Sequence, residues 1–162
     1  MNNGEFYLAD AIEAIEDVLA SGGDFRMYPK GTSMLPLIVQ TRDSVVLTRN
    51  FDTPAKKHDI AFYRRKSGQF VLHRVMDVRE DGTYTMCGDN QTQLEYGIEK
   101  EQIIAYASGI YRKNKAVNMD GFAYSAYLFF WTKMPIRKFF FLFRRIKGKL
   151  LRIFRRIFPK RT

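Results

Sequence analysis

The stretch Pro29-Lys30-Gly31-Thr32-Ser33-Met34-Leu35-Pro36 sets a serine on a tight turn with an apolar shoulder. Gly31 admits backbone angles closed to other residues, and Pro36 fixes φ and cannot extend a helix. A serine so placed becomes a nucleophile only when a base lies within hydrogen-bond reach; otherwise it is an ordinary turn residue. The base on offer is His73, in Phe70-Val71-Leu72-His73-Arg74-Val75, a segment otherwise suited to a core strand. A lone histidine there is ordinarily a satisfied core or edge residue. Its other role is general base, because an imidazole of near-neutral pKa can take the serine proton and return it to a leaving amine. Asp89, in Gly88-Asp89-Asn90, is the candidate third member. A carboxylate bonded to the imidazole fixes its tautomer and stabilises the imidazolium. Gly-Asp-Asn is equally a turn in which the Asp side chain bonds its own backbone.

Taken in order, Gly31-Thr32-Ser33-Met34-Leu35-Pro36, His73-Arg74-Val75 and Gly88-Asp89-Asn90 resemble the signature of type I signal peptidases and their serine-peptidase relatives, over residues 25–112. Arg42-Asp43-Ser44-Val45-Val46-Leu47 and His58-Asp59-Ile60-Ala61-Phe62 resemble the two Gly-Asp strand starts of that family. Arg42 and His58 stand where the family has glycine, so those turns must be made differently. A histidine rather than a lysine at the base position is similar to the endoplasmic-reticulum and archaeal variety. The resemblance implies Ser33 as nucleophile, His73 as general base and Asp89 as orienting carboxylate. Glu95, six residues further on, would take a weaker supporting role, with Asn90 beside it. The oxyanion would be held by the backbone N–H of Ser33. Some relatives carry a hydroxyl where this chain has Gly31, which leaves Thr32 as the one side-chain donor near that turn. Substrates would be extended peptides laid beside a strand, with small residues near the cleaved bond and Met34 and Leu35 forming shallow apolar pockets. No metal or cofactor is implied.

The elements that must position these groups are short strands separated by turn chemistry. Glu5 to Ala20 reads as an amphipathic helix, with Leu8, Ile12, Ile15 and Leu19 on one face and Gly22-Gly23 as its stop. Strands are expected at Phe25–Tyr28, Ser44–Arg49, Asp59–Arg64, Gln69–Val78, Thr83–Cys87 and Ile103–Tyr111, with Asp81-Gly82 as a hairpin turn. The expected fold is mainly β, a coiled or barrel-like signal-peptidase-type catalytic domain with helices at both ends. Its parts would be an N-terminal helix over 1–24, the catalytic domain over 25–115 and a basic, aromatic tail over 116–162. His58 reads as a solvated loop residue, Arg74 as an ion-pairing anchor and Cys87 as a small buried hydrophobe.

The formal charge of +10 resembles a nucleic-acid signature until its position is considered. Residues 1–120 hold 15 Lys and Arg against 17 Asp and Glu, and the other 12 basic residues all follow Gly121, with no acid among them. The positive charge therefore belongs to the tail. One cysteine excludes an internal disulfide, and two histidines with one cysteine cannot build a standard structural zinc site. The N-terminus has no basic segment followed by an apolar one, so no signal peptide is expected.

Gly121 to Trp131 is almost wholly apolar but, at eleven residues, shorter than the ~20 a membrane-crossing helix requires. Beyond it, Phe139, Phe143, Ile146, Leu150, Ile153, Phe154 and Ile157 fall on one helical face, opposite Arg144, Arg145, Lys149, Arg152, Arg155 and Arg156. That pattern fits a helix lying in an anionic membrane surface. A nucleic-acid arm would not carry so many Phe and Ile on one face. The alternative is that the helix docks on its own domain or that a partner protein covers the apolar face. The sequence thus reads as a membrane-peripheral serine endopeptidase cleaving leader-like peptides, on the cytoplasmic face by default. Its rivals are a self-cleaving regulator of the related repressor type, for whose DNA-binding module and scissile linker the 24 residues before the core leave no room, a catalytically silent peptide-binding module of the same fold, and a scaffold whose basic tail is the function.

Overall fold

A computed structural model describes residues 3–49 and 53–157, with side chains described over 12–49 and 53–147 and at Arg152. The expectations for Leu8, Leu150, Ile153, Phe154, Arg155, Arg156 and Ile157 fall outside the described side chains. The order is α1 (Asn3–Ala20), β1 (Phe25–Met27), β2 (Asp43–Thr48), β3 (Ile60–Arg64), β4 (Phe70–Val78), β5 (Tyr84–Cys87), β6 (Glu95–Ile98), β7 (Ile103–Arg112), β8 (Lys115–Ala116), α2 (Phe122–Trp131) and α3 (Met134–Ile157). The protein is mainly β, as expected, with one helix before the sheet and two after it.

All strand pairs are antiparallel, in the order β1-β2-β7-β3-β4-β5-β6, and β8 pairs with β7. β3 is central and buried on both faces. Its alternation sends Ile60 and Phe62 into one apolar cluster and Ala61 and Tyr63 into another. The first cluster also takes Ile12, Ile15 and Leu19 from α1 and Met34, Leu37 and Ile38 from the serine turn. Each such fully buried aliphatic side chain contributes about 1.5–3 kcal/mol. Burying Met34, Leu37 and Ile38 therefore ties the backbone around Ser33 to the core.

The hairpin at Asp81-Gly82 forms with Gly82 at φ +81°, where glycine alone is unstrained. The two strand starts that lack the family's glycine are built in different ways. His58 itself takes φ +82°, while before β2 it is Thr41, at φ +65°, that turns the chain. Arg42 then lies against buried Asp43 as a fork. β6 was not expected from the sequence. Glu95-Tyr96-Gly97-Ile98 has no clean alternation and holds Gly97 at φ +68°, so its pairing with β5 depends on the rest of the sheet.

The expected boundary at residue 116 does not separate a tail from a domain. Tyr124 is a buried member of the first cluster, and Val117, Met119, Tyr127 and Leu128 pack against it. α2 is part of the domain because its tyrosines find buried polar partners there, described below. α3 starts after Thr132-Lys133, with Pro135 in its first turn, where a missing N–H costs nothing. No described helix is long and apolar enough to cross a membrane.

Candidate active site

β4 carries His73 and Arg74 in succession, so the strand's period of two sends them to opposite faces. His73 pairs in register with Ala61, whose methyl leaves room for an imidazole, and Tyr63 follows on the same face of β3. Only 1% of His73 is exposed. Its Nδ1 lies 3.1 Å from Oε1 of Glu95 and 3.3 Å from the hydroxyl of Tyr63. Glu95 is itself held by Arg65, whose Nε donates to Oε2 at 2.7 Å and whose Nη2 donates to Oε1.

These contacts set the protonation of the imidazole. Burial lowers the His73 pKa from its ordinary 6.5, and the nearby Glu95 carboxylate offsets only part of that effect. The ring is therefore neutral at pH 7. An anionic Glu95 can only accept, so Nδ1 carries the proton and Nε2 the lone pair. Burial works against the Glu95 charge, but the Arg65 fork and His73 outweigh it and hold the carboxyl below its usual range. Tyr63 stays protonated, its pKa raised by burial and by the Glu95 charge.

Nε2 faces the serine turn across Gly88. Arg74 pairs with Cys87, which brings position 88 alongside His73. A Cβ at Gly88 would stand 3.0 Å from His73 Nε2 and 2.7 Å from the Ser33 carbonyl oxygen. Only glycine lets these backbones approach so closely. The 88–90 turn then grips the serine turn, as Asn90 N–H donates to Ser33 O at 2.6 Å and Asn90 Nδ2 donates to Thr32 O at 3.0 Å. Gly31, at φ +94°, is fixed by Gln40, whose Oε1 accepts its N–H at 2.8 Å. Among the described residues neither the N–H nor the hydroxyl of Ser33 has a hydrogen-bond partner.

Asp89 does not orient His73, contrary to expectation. Both its oxygens are taken by Arg74, with Nε to Oδ1 at 2.8 Å and Nη2 to Oδ2 at 2.7 Å, and the Tyr127 hydroxyl donates to Oδ2 at 2.8 Å. Arg74 and Asp89 are both 0% exposed. Arg74 Nη1 adds His58 O and Tyr124 Oη. The cause is strand alternation: position 74 lies on the face away from His73, and Asp89 sits within its reach. Glu95, given the weaker role by the sequence, occupies the orienting position.

Ser33 and His73 line one cleft of about 400 Å³, with Gly31, Thr32, Met34 and Asn90. One wall is Phe70-Val71-Leu72, the part of β4 that pairs with β3 but lies outside the pairing with β5. Met34 lines this cleft from the core side. Leu35 does not. It opens on a separate depression with Pro36, Trp131, Phe140 and Arg144, because neighbouring residues of the turn point to opposite sides. Cys87 is fully buried, and that burial raises its thiol pKa, which leaves it inert in the fold. Among the described residues no cluster of His, Cys, Asp or Glu could hold a metal ion.

Sequence reasoning missed Tyr63, Arg65 and Gly88 as members of this site, and Tyr127, Trp131 and Arg137 as its supports. Arg65 carried a faint signal, a basic pair closing a strand, but nothing local linked it to a carboxylate thirty residues away. The chain matches no protein-family model and no curated protein.

Proposed function

We propose that this protein is a serine endopeptidase of signal-peptidase-like type, acting through Ser33, His73 and Glu95. The observation that carries the reading is an imidazole held from one side with its other nitrogen free. Its Nδ1 is on Glu95, and its Nε2 is turned to the Ser33 turn in an open cleft. An extended peptide would add to the half-paired edge of β4 at Phe70–Leu72 and bring its scissile carbonyl over Ser33. Ser33 Oγ attacks the carbonyl carbon as His73 Nε2 takes its proton, and Glu95 stabilises the imidazolium. The uncommitted N–H of Ser33 donates to the oxyanion. The imidazolium then protonates the leaving amine, and water, activated by the same base, releases the acyl group.

The same reading attaches the protein to an anionic membrane surface through α3. Phe139 (71% exposed), Leu142, Phe143 and Ile146 form an exposed stripe at helical spacing, with Arg144, Arg145, Lys147 and Arg152 around it. Replacing Phe139 and Phe143 together with serine is expected to release the protein from vesicles containing anionic lipid, measured by co-sedimentation. Unchanged sedimentation would remove this part of the proposal.

Cleavage is tested by incubating wild type, Ser33→Ala and His73→Ala with a proteome-derived peptide library and reading new termini by mass spectrometry. New termini are expected with wild type alone, each variant losing about 10⁴-fold or more. Equal cutting by a folded Ser33→Ala would overturn the assignment. The absence of a bond between Ser33 and His73 favours a second reading, a silent peptide-binding module. It predicts saturable binding of peptides to wild type without new termini.

A further inference from the structure

Among the described residues Arg137 is the most deeply buried cation of the C-terminal helices, at 0% exposure, and no role in the chemistry above accounts for it. It lies in the first turns of α3. Its Nε donates to Trp131 O at 2.9 Å, and its Nη1 donates to Gly88 O and Gln91 O at 3.0 Å each, with Cys87 Sγ at 3.4 Å. All four acceptors are neutral. Nη2 is buried with no partner. A methionine would fill the same space but take the side-chain donor away from the carbonyls of Trp131, Gly88 and Gln91, so what the arginine adds is the link between those carbonyls.

What the arginine holds is the turn that holds Ser33. Gly88 and Gln91 bracket Asp89 and Asn90, and Asn90 in turn bonds Ser33 O and Thr32 O. A second donor from the same helical hairpin, Trp131 Nε1, reaches Asp89 O at 2.7 Å. Thus two carbonyls of the turn are fixed from α3 and one from the end of α2. Met134, Arg137 and Phe141, three and four residues apart, face the domain, while Phe139, Leu142, Phe143 and Ile146 are exposed. One helix therefore carries a lipid-seeking stripe and a contact to the active-site turn.

We propose that Arg137 is a positioning residue of the active site. By fixing the carbonyls of Gly88 and Gln91 it sets the distance between Ser33 and His73 and makes α3 part of the catalytic apparatus. This rests on the peptidase reading for its kinetic consequence, though not for its structural one. A misplacement of about 1 Å in such a pair costs about 10²-fold in rate while leaving the peptide-binding wall of β4 intact.

The test compares the full chain with Arg137→Met, Arg137→Lys and Trp131→Phe by hydrogen–deuterium exchange and by steady-state cleavage of a peptide cut by wild type. In Arg137→Met, exchange is expected to rise at residues 31–35 and 88–91 alone, and kcat to fall about 10²-fold with KM within about threefold. Arg137→Lys, whose ammonium still reaches two carbonyls, is expected to recover part of kcat. Trp131→Phe, which removes only the bond to Asp89 O, is expected to give a smaller loss of the same kind, and Arg137→Lys decides the matter if Arg137→Met does not fold. Wild-type exchange at both turns in the folded variants, or a change in KM alone, would overturn the proposal. If wild type cuts nothing, the peptidase reading fails, while the exchange pattern still decides whether Arg137 holds the turn.

Discussion

Two similar clusters sit back to back on β4. On one face His73 meets Tyr63 and Glu95, which Arg65 holds; on the other Arg74 meets Asp89 and Tyr124, and Tyr127 bonds Asp89. Each has one carboxylate in an arginine fork and at least one tyrosine hydroxyl. They differ in what they face. The Arg74–Asp89 pair is sealed, both side chains at 0% exposure, and every oxygen of Asp89 is spent on structural donors. The Glu95 side chain is 22% exposed, and the histidine it holds turns its free nitrogen to a cleft. A carboxylate beside an arginine thus says little about function. What counts is whether the charge is used up in the fold or passed to a group that substrate can reach.

The sharpest way to break this comparison is to neutralise the two acids separately. Glu95→Gln is expected to cost about 10²–10⁴-fold in cleavage with little change in unfolding midpoint, because the imidazole loses its orienting partner. Asp89→Asn is expected to do the reverse, costing about 3–5 kcal/mol in denaturant unfolding by leaving Arg74 buried without its counter-charge. If Asp89→Asn removes activity at full stability while Glu95→Gln does neither, the two clusters have been assigned the wrong way round. Gly88→Ala should come next, at about 10²-fold in kcat, because the added methyl must push apart Ser33 O and His73 Nε2. A fully active Gly88→Ala would show that this approach does not matter.

The smallest effects lie in pH. Cleavage needs neutral His73, whose pKa is lowered from 6.5 chiefly by burial. Wild-type kcat/KM should therefore stay level as pH falls to 6.5 and drop only below it. Glu95→Gln should move this acid limb further down, since the carboxylate is what partly offsets the shift, and Asp89→Asn should move it far less. The linked stability has the same sign. Between the folded and unfolded pKa values the unfolded chain binds more protons, so the fold loses stability as pH falls below 6.5. A kcat/KM profile with an acid limb above 6.5 would contradict a buried neutral base.

The elements that carry Ser33, His73 and Asp89 were legible because each has a local signature: an apolar run in β4, Asp-Gly before β5, glycine and proline around the serine turn. β6 was not, for Gly97 breaks its pattern, and with β6 went the weight of Glu95. The tail was legible as amphipathic. Its docking was not, because Tyr124, Tyr127, Trp131 and Arg137 look in sequence like more of the same aromatic and basic composition. Only contact with the 88–91 turn sets them apart.

By itself the sequence determined which residues could serve as nucleophile and base, where six of the eight strands run and where the positive charge lies, since these follow from residue type and local period. Only the tertiary structure decided which carboxylate holds the imidazole, which side of the serine turn is the cleft and that α3 reaches the turn packed on Ser33. Each of those depends on which face a side chain takes in a curved sheet and on pairings across 15 to 50 residues of chain, such as Arg74 with Asp89, His73 with Glu95 and Arg137 with Cys87. No local pattern encodes such distances.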